Sequence, residues 1–161
     1  MQRRRSPCLF LALLLVGCGP GTVAITDRAD YTQKVQGQLG LWTRAINNRS
    51  LDTLAMLYVH TRDLETVWPD GEQTLGWTDA AAKWKRWTEP LSQLNFVAQD
   101  PQVDIIDQQV AIATFRSSTD VVQGGERRQE FHRVTQVWVR DPADGTWRIR
   151  AEHRSRIPAA G

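Results

Sequence analysis

Apolar side chains recur every three or four residues at Tyr31, Val35, Leu39, Trp42 and Ile46, a spacing that puts all five on one face of a helix beginning near the cap candidate Thr26-Asp27. Gly37 and Gly40 weaken that helix by about 1 kcal/mol each relative to Ala, so its stability must come from packing of the apolar face. Asn47-Asn48-Arg49-Ser50 ends it and caps a second helix carrying Leu51, Leu54, Leu57 and Tyr58. Residues 63–68 then read as a short strand stopped by the turn formers Pro69-Asp70-Gly71. A third helix runs from Thr78-Asp79 to Pro90, with Ala81, Trp84 and Trp87 or Thr88 on one side.

Beyond Pro90 the period shortens to two. Strands are predicted over 91–106, 109–122, 126–140 and 146–157, separated by Asp107-Gln108, Gly124-Gly125 and the run from Asp141 to Gly145. Three helices followed by a four-strand meander indicate an α+β domain with its helices on one face of a curved, mostly antiparallel sheet. In the last strand, alternation assigns Trp147, Ile149, Ala151, His153 and Ser155 to the interior and Arg148, Arg150, Glu152, Arg154 and Arg156 to solvent. The preceding strand is mixed on both faces, Phe131, Arg133, Thr135, Val137 and Val139 against His132, Val134, Gln136, Trp138 and Arg140, and its direction stays open. If Val134 and Trp138 face outward, that side of the sheet needs a cover, and a homodimer would supply one.

The N-terminus changes the picture of charge. Arg3, Arg4 and Arg5 precede a short apolar run and then Leu15-Val16-Gly17-Cys18, the layout of an export signal too short to span a bilayer as a mature helix. These four residues resemble the lipobox of bacterial lipoproteins, which implies cleavage before Cys18 and attachment of the protein to a lipid bilayer through that sulfur; an ordinary secretory leader cut nearby is the alternative. Gly19 follows where Asp would mark a different sorting fate in enterobacteria-like systems. The expected organisation is a signal peptide over 1–17, an acylated cysteine and tether over 18–26, one domain over 27–157 and a tail over 158–161. Export places the domain in the cell envelope, outside the cytoplasm. The 161 residues carry 20 basic and 18 acidic side chains, but removing 1–17 takes three Arg and no acid, leaving 17 against 18. No global positive field then remains to recruit nucleic acid. Apolar content of 41% and charged content of 24% exclude a disordered chain. Cys8 lies in the leader, so the mature chain has no disulfide pair and must rest on its core.

The order long helix, short helix, strand, Trp-bearing helix and four-strand meander resembles the nuclear-transport-factor-two-like (NTF2-like) superfamily, also called SnoaL-like or ketosteroid-isomerase-like. The matching stretches are Pro69-Asp70-Gly71 with Gly76-Trp77, Asp107 to Ala113, Arg133 to Trp138, and Asp144-Gly145-Thr146-Trp147 leading into His153-Arg154-Ser155. The resemblance covers 27–157 and implies a cone with the sheet wrapped around the long helix and a pocket between them, often in homodimers. It leaves function open between metal-free isomerases, dehydratases or cyclases and noncatalytic binding or assembly domains.

Within that frame His153 and Arg133 are candidates to hold a carboxylate or enolate-like oxygen, with Tyr58, Trp68 and Ser155 as further ligand-binding candidates. Glu65 or Asp63 is the candidate general base, His153 the alternative. Each has a plainer role to weigh against this: a hydrogen-bonded core histidine, a structural ion pair, a solvated strand face. Trp42, Trp68, Trp84, Trp87 and Trp147 either line the cavity or fill the core. The sequence does not match residue by residue the catalytic sets of the superfamily's isomerases, dehydratases or hydrolases. A noncatalytic role is therefore favoured, binding a small, partly apolar molecule or serving in assembly, with a metal-free acid/base enzyme as the alternative. No cofactor is expected. His60, His132 and His153 lack metal-ligand spacing.

Overall fold

The computed structural model describes residues 25–158, so the readings at Cys18 and in the leader, most of the tether and the last three residues lie outside the described part. Helix α1 (Ile25–Asn47) and helix α2 (Leu51–Leu57) are followed by β1 (Glu65–Val67), β2 (Gln73–Leu75), α3 (Gly76–Thr88) and the long strands β3 (Leu91–Ile105), β4 (Val110–Gln123), β5 (Glu126–Arg140) and β6 (Trp147–Arg156). The sheet order is β2-β1-β6-β5-β4-β3. Only β1 and β6 run parallel; every other neighbouring pair is antiparallel. Among the described residues no helix is long and apolar enough to cross a membrane. The result is the α+β cone, three helices against one face of a curved sheet.

α1 buries the face its period announced: Val35, Leu39, Trp42 and Ile46 are in the core, with Tyr31 at its margin. Its end is closed by Arg49 N–H to Ile46 O and Ser50 N–H to Ala45 O, both 2.9 Å, with Arg49 at φ 54° in the position glycine usually takes. Ser50 then caps α2 by accepting from Thr53 N–H at 3.2 Å. Asn47 ties α1 to the sheet edge, donating to Phe96 O at 2.9 Å and accepting from Phe96 N–H at 2.6 Å, so both outward backbone groups of an edge-strand residue are satisfied.

Two departures from the sequence reading matter. β2 has no counterpart in the sequence pattern, because three residues with only Thr74 buried carry too little periodicity to announce a strand. On α3 the buried residues are Ala80, Trp84 and Thr88, one position away from the Ala81 and Trp87 alternative.

The sheet curves through bulges. In β3, Asp100 (φ 48°) and Pro101 break the register between Gln99 and Gln102. In β6, Val137 pairs with Ala151 but Trp138 pairs with Ile149, so Arg150 is an additional residue. Because side chains alternate, one extra residue reverses the inward set from that point on. Trp147 and Ile149 point inward as expected; beyond the bulge Glu152 and Arg154 are buried while His153 is exposed. On β5 the inward set is His132, Val134, Gln136 and Trp138, with Arg133 exposed. Val134 and Trp138 are thus core residues, and they do not supply the outward apolar patch from which a dimer was expected.

Candidate functional site

The bulge brings Glu152 and Arg154 into the interior, where they organise a polar chain through the core. Trp42 Nε1 donates to Tyr58 Oη at 2.9 Å, and Tyr58 Oη donates to Glu152 Oε2 at 2.8 Å. Gln136, the cross-strand neighbour of Glu152, donates to the same oxygen at 2.9 Å. Arg154 Nε lies 3.0 Å from Glu152 Oε1, at an angle unsuited to a hydrogen bond, so their attraction is mainly coulombic. Glu152 is fully enclosed by these partners. Burial, reinforced by the negative charge of Glu152, pushes the Tyr58 hydroxyl well above its ordinary pKa of 10.0, and it stays a neutral donor.

Arg154 is the hinge between this core and a cavity. Its guanidinium carbon sits 4.3 Å from the Trp68 ring centre and 4.4 Å from that of Trp84, with Trp87 at 6.0 Å, a cation held by aromatic faces where water is excluded. The cavity in front of it measures about 220 Å³ and is walled by Trp68, Trp87 and Phe96, with Thr119, Glu130 and His132 on the sheet side. Trp68 is fixed by Nε1 donating to Thr74 Oγ1 at 3.2 Å and by the turn at Gly71 (φ 85°), whose N–H reaches Trp68 O at 2.9 Å. Lys83 closes one side, its ammonium 2.6 Å from Asp70 Oδ2 and 2.5 Å from Glu72 Oε2. The hydrogen bond from Lys83 holds the Asp70 carboxyl below its ordinary range.

His132 borders the cavity from β5, opposite Ser117 on β4 and Arg156 on β6. Its Nε2 has no hydrogen-bond partner; Glu130 Oε2 is 3.7 Å away. Burial, helped by the positive charge of Arg154, lowers the imidazole pKa from its ordinary 6.5, so His132 is neutral at pH 7. Such a group can accept a proton or receive a ligand's polar atom.

The expected site residues are not gathered in one place. Trp68 lines the cavity. Tyr58 is buried, its hydroxyl on Glu152 and its ring beside a second, wider depression of about 730 Å³ near Met56 and His60. His153 and Arg133 are exposed on the outer face, and Ser155 shares their parity there, across the ladder from Arg133. The inward assignment of His153 and Ser155 fails because of the Arg150 bulge, and Arg133 faces outward because β5 turns its even positions inward. Asp63 and Glu65 are exposed as well: Asp63 lies 3.2 Å from Arg150, and Glu65 accepts from Gln73 at 2.8 Å. Glu65, Arg133, His153 and Tyr58 therefore form no constellation. His132, Glu130, Arg154 and Glu152 were missed; the signal for His132 was its place in line with Val134 and Trp138. Trp68 and Trp87 wall the cavity, and Trp42, Trp84 and Trp147 fill the core. Among the described residues no three His, Cys, Asp or Glu side chains are grouped to hold a metal ion.

A sequence model described as SnoaL-like domain matches residues 35–160. Among solved structures, a nuclear transport factor 2 (NTF2-like) superfamily protein from Salmonella enterica serovar Typhimurium superposes with a TM-score of 0.76 at 19% identity, over 83% of this chain and 95% of that one. An NTF2-like family protein from Streptomyces avermitilis, provisionally named a dehydratase, gives 0.72 at 17% identity over 81% and 99%. A type 2 hexachlorocyclohexane dehydrochlorinase gives 0.69 at 15% identity over 86% and 95%. No curated protein matches the sequence.

Proposed function

The chain belongs to the SnoaL-like domain family, and from that premise we propose that it is an envelope lipoprotein, anchored through Cys18, whose cavity binds a small, flat, partly apolar molecule without transforming it. The observation that carries this reading is the aromatic-walled cavity of about 220 Å³ that ends on the buried guanidinium of Arg154. An apolar cavity of about 150 Å³ takes up a single benzene ring, so this one suits a ligand of one or two rings. Its walls offer stacking surface, and its floor offers directional polar groups. Among the described residues the one deeply buried carboxylate, Glu152, is spent on Tyr58, Gln136 and Arg154 and does not line the cavity. That speaks against a general base there, and an open cavity speaks against a purely assembly role.

Native mass spectrometry of the protein purified from its own host tests the reading. A bound mass that denaturation releases, with Trp fluorescence changing as it is lost, is expected. Protein with no bound mass, whose fluorescence ignores one- and two-ring aromatic compounds, would sink it.

The position of His132 favours one other reading, a metal-free acid/base enzyme of isomerase, dehydratase or cyclase type. Its neutral imidazole borders the cavity with Glu130 close by, and two structural neighbours carry names of elimination enzymes. In this reading His132, in place of His153, is the acid/base group. Turnover of the copurified molecule by wild type, lost in His132→Ala, would replace the noncatalytic reading; an unchanged molecule would retain it.

A further inference from the structure

The binding reading leaves open what polar group the ligand carries, and the cavity floor bears on that. Two side chains that line it keep nitrogen atoms without any acceptor: Arg154 Nη2, on a residue 4% exposed, and His132 Nε2, on a residue 5% exposed. A buried donor left unmade is costly, whereas an acceptor supplied by a ligand relieves that cost. Arg154 Nε lies 3.0 Å from Glu152 Oε1 without a hydrogen bond, so neither Nε nor Nη2 has an acceptor within the protein.

The charge around the cavity has the same sense. Arg128, Arg154, Arg156 and Lys83 line it against two acids, Asp70 and Glu130. Asp70 is engaged by Lys83, and Glu130 stands outside hydrogen-bond distance of His132.

We propose that the cavity selects aromatic carboxylates, with Arg154 Nη2 and His132 Nε2 each donating to one carboxylate oxygen while the ring lies between Trp68, Trp87 and Phe96. The inference rests on the binding reading above and narrows it to a ligand class. Two donors match the two oxygens of a carboxylate; a phosphate monoester would carry a third oxygen out of water unpaired. His132 must be protonated to donate if its other nitrogen holds the only hydrogen, and the incoming anion favours that proton.

Calorimetric titration with phenylacetate, its uncharged analogue phenylacetamide and phenyl phosphate tests this. Wild type should bind phenylacetate at least about tenfold more tightly than either of the others. His132→Leu should cut that preference severalfold. Arg154→Met alone would strand Glu152, so the paired change Glu152→Gln with Arg154→Met removes both buried charges together, and it should abolish the preference. Should the paired variant fail to fold, H132L decides. Equal binding of phenylacetate and phenylacetamide would overturn the carboxylate assignment yet leave the binding reading standing. So would tighter binding of phenyl phosphate, or a preference that survives in H132L and in the folded paired variant. Failure of wild type to bind any of the three probes would count against the binding reading as well.

Discussion

Tyr58 shows what a single hydroxyl does in this core. It receives the Trp42 indole proton and gives its own to Glu152, so Tyr58→Phe leaves a buried donor and a buried carboxylate each one partner short. The expected loss is about 1–3 kcal/mol of stability, read as a lower urea midpoint with unchanged m-value. His132 acts through its proton. Its pKa is lowered in the fold below 6.5, so the unfolded chain takes up a proton first as pH falls. The stability from keeping this imidazole neutral is fully present above pH 6.5 and declines as pH falls below it towards the lowered folded value. Asp70 and Asp144 are lowered from 3.8, Asp144 to about 2 by the Arg148 hydrogen bond, and they act in a more acidic window. Thermal melts at pH 7.5 and 5 should therefore show a drop in Tm that is smaller in His132→Leu; an equal drop in both proteins would assign the effect to other groups.

At the scale of elements, the helices and long strands were legible because their periods are unbroken. Tyr31 to Ile46 keep a helical spacing, and turn formers mark the strand ends at Gly124-Gly125 and Asp141 to Gly145. The site was not legible, for a reason that also lies in a period. Alternation along β6 holds from Trp147 to Ile149, and nothing in Trp-Arg-Ile-Arg-Ala-Glu-His-Arg announces that Arg150 falls out of register. Extrapolating one phase past it placed His153 inside and Glu152 outside. β5 resisted because both of its faces mix polar with apolar residues; only the helices behind Val134 and Trp138 decide between them. The Arg150 side chain is exposed and reaches only a surface carboxylate, Asp63, so Arg150→Ala should change stability by less than about 0.5 kcal/mol. Deleting Arg150 should leave cooperative unfolding intact, because Ile149 opposite Trp138 and Ala151 opposite Val137 then follow one another directly and Glu152 and Arg154 keep their inward places. Loss of cooperative urea unfolding in the deletion variant would refute the register.

For the whole molecule, the proposed anchor sets where the cavity works. Six residues lie between Cys18 and the first residue of α1 at Ile25, a reach over seven Cα–Cα steps of at most about 25 Å even when fully extended. Two or more acyl chains hold a protein at a bilayer stably where one gives reversible attachment. Cys18→Ser should thus move the protein from the detergent phase to the aqueous phase in cloud-point partitioning, and a variant that stays in the detergent phase would count against lipidation.

The extra residue in β6 also affects how chains of this shape diverge. Loss of the one codon there would remove the bulge yet keep the same acid and guanidinium facing inward, while every later position moves by one along the chain. Two relatives then hold the same inward chemistry at positions of opposite parity, and aligning them without a gap would match groups that face opposite sides of the sheet.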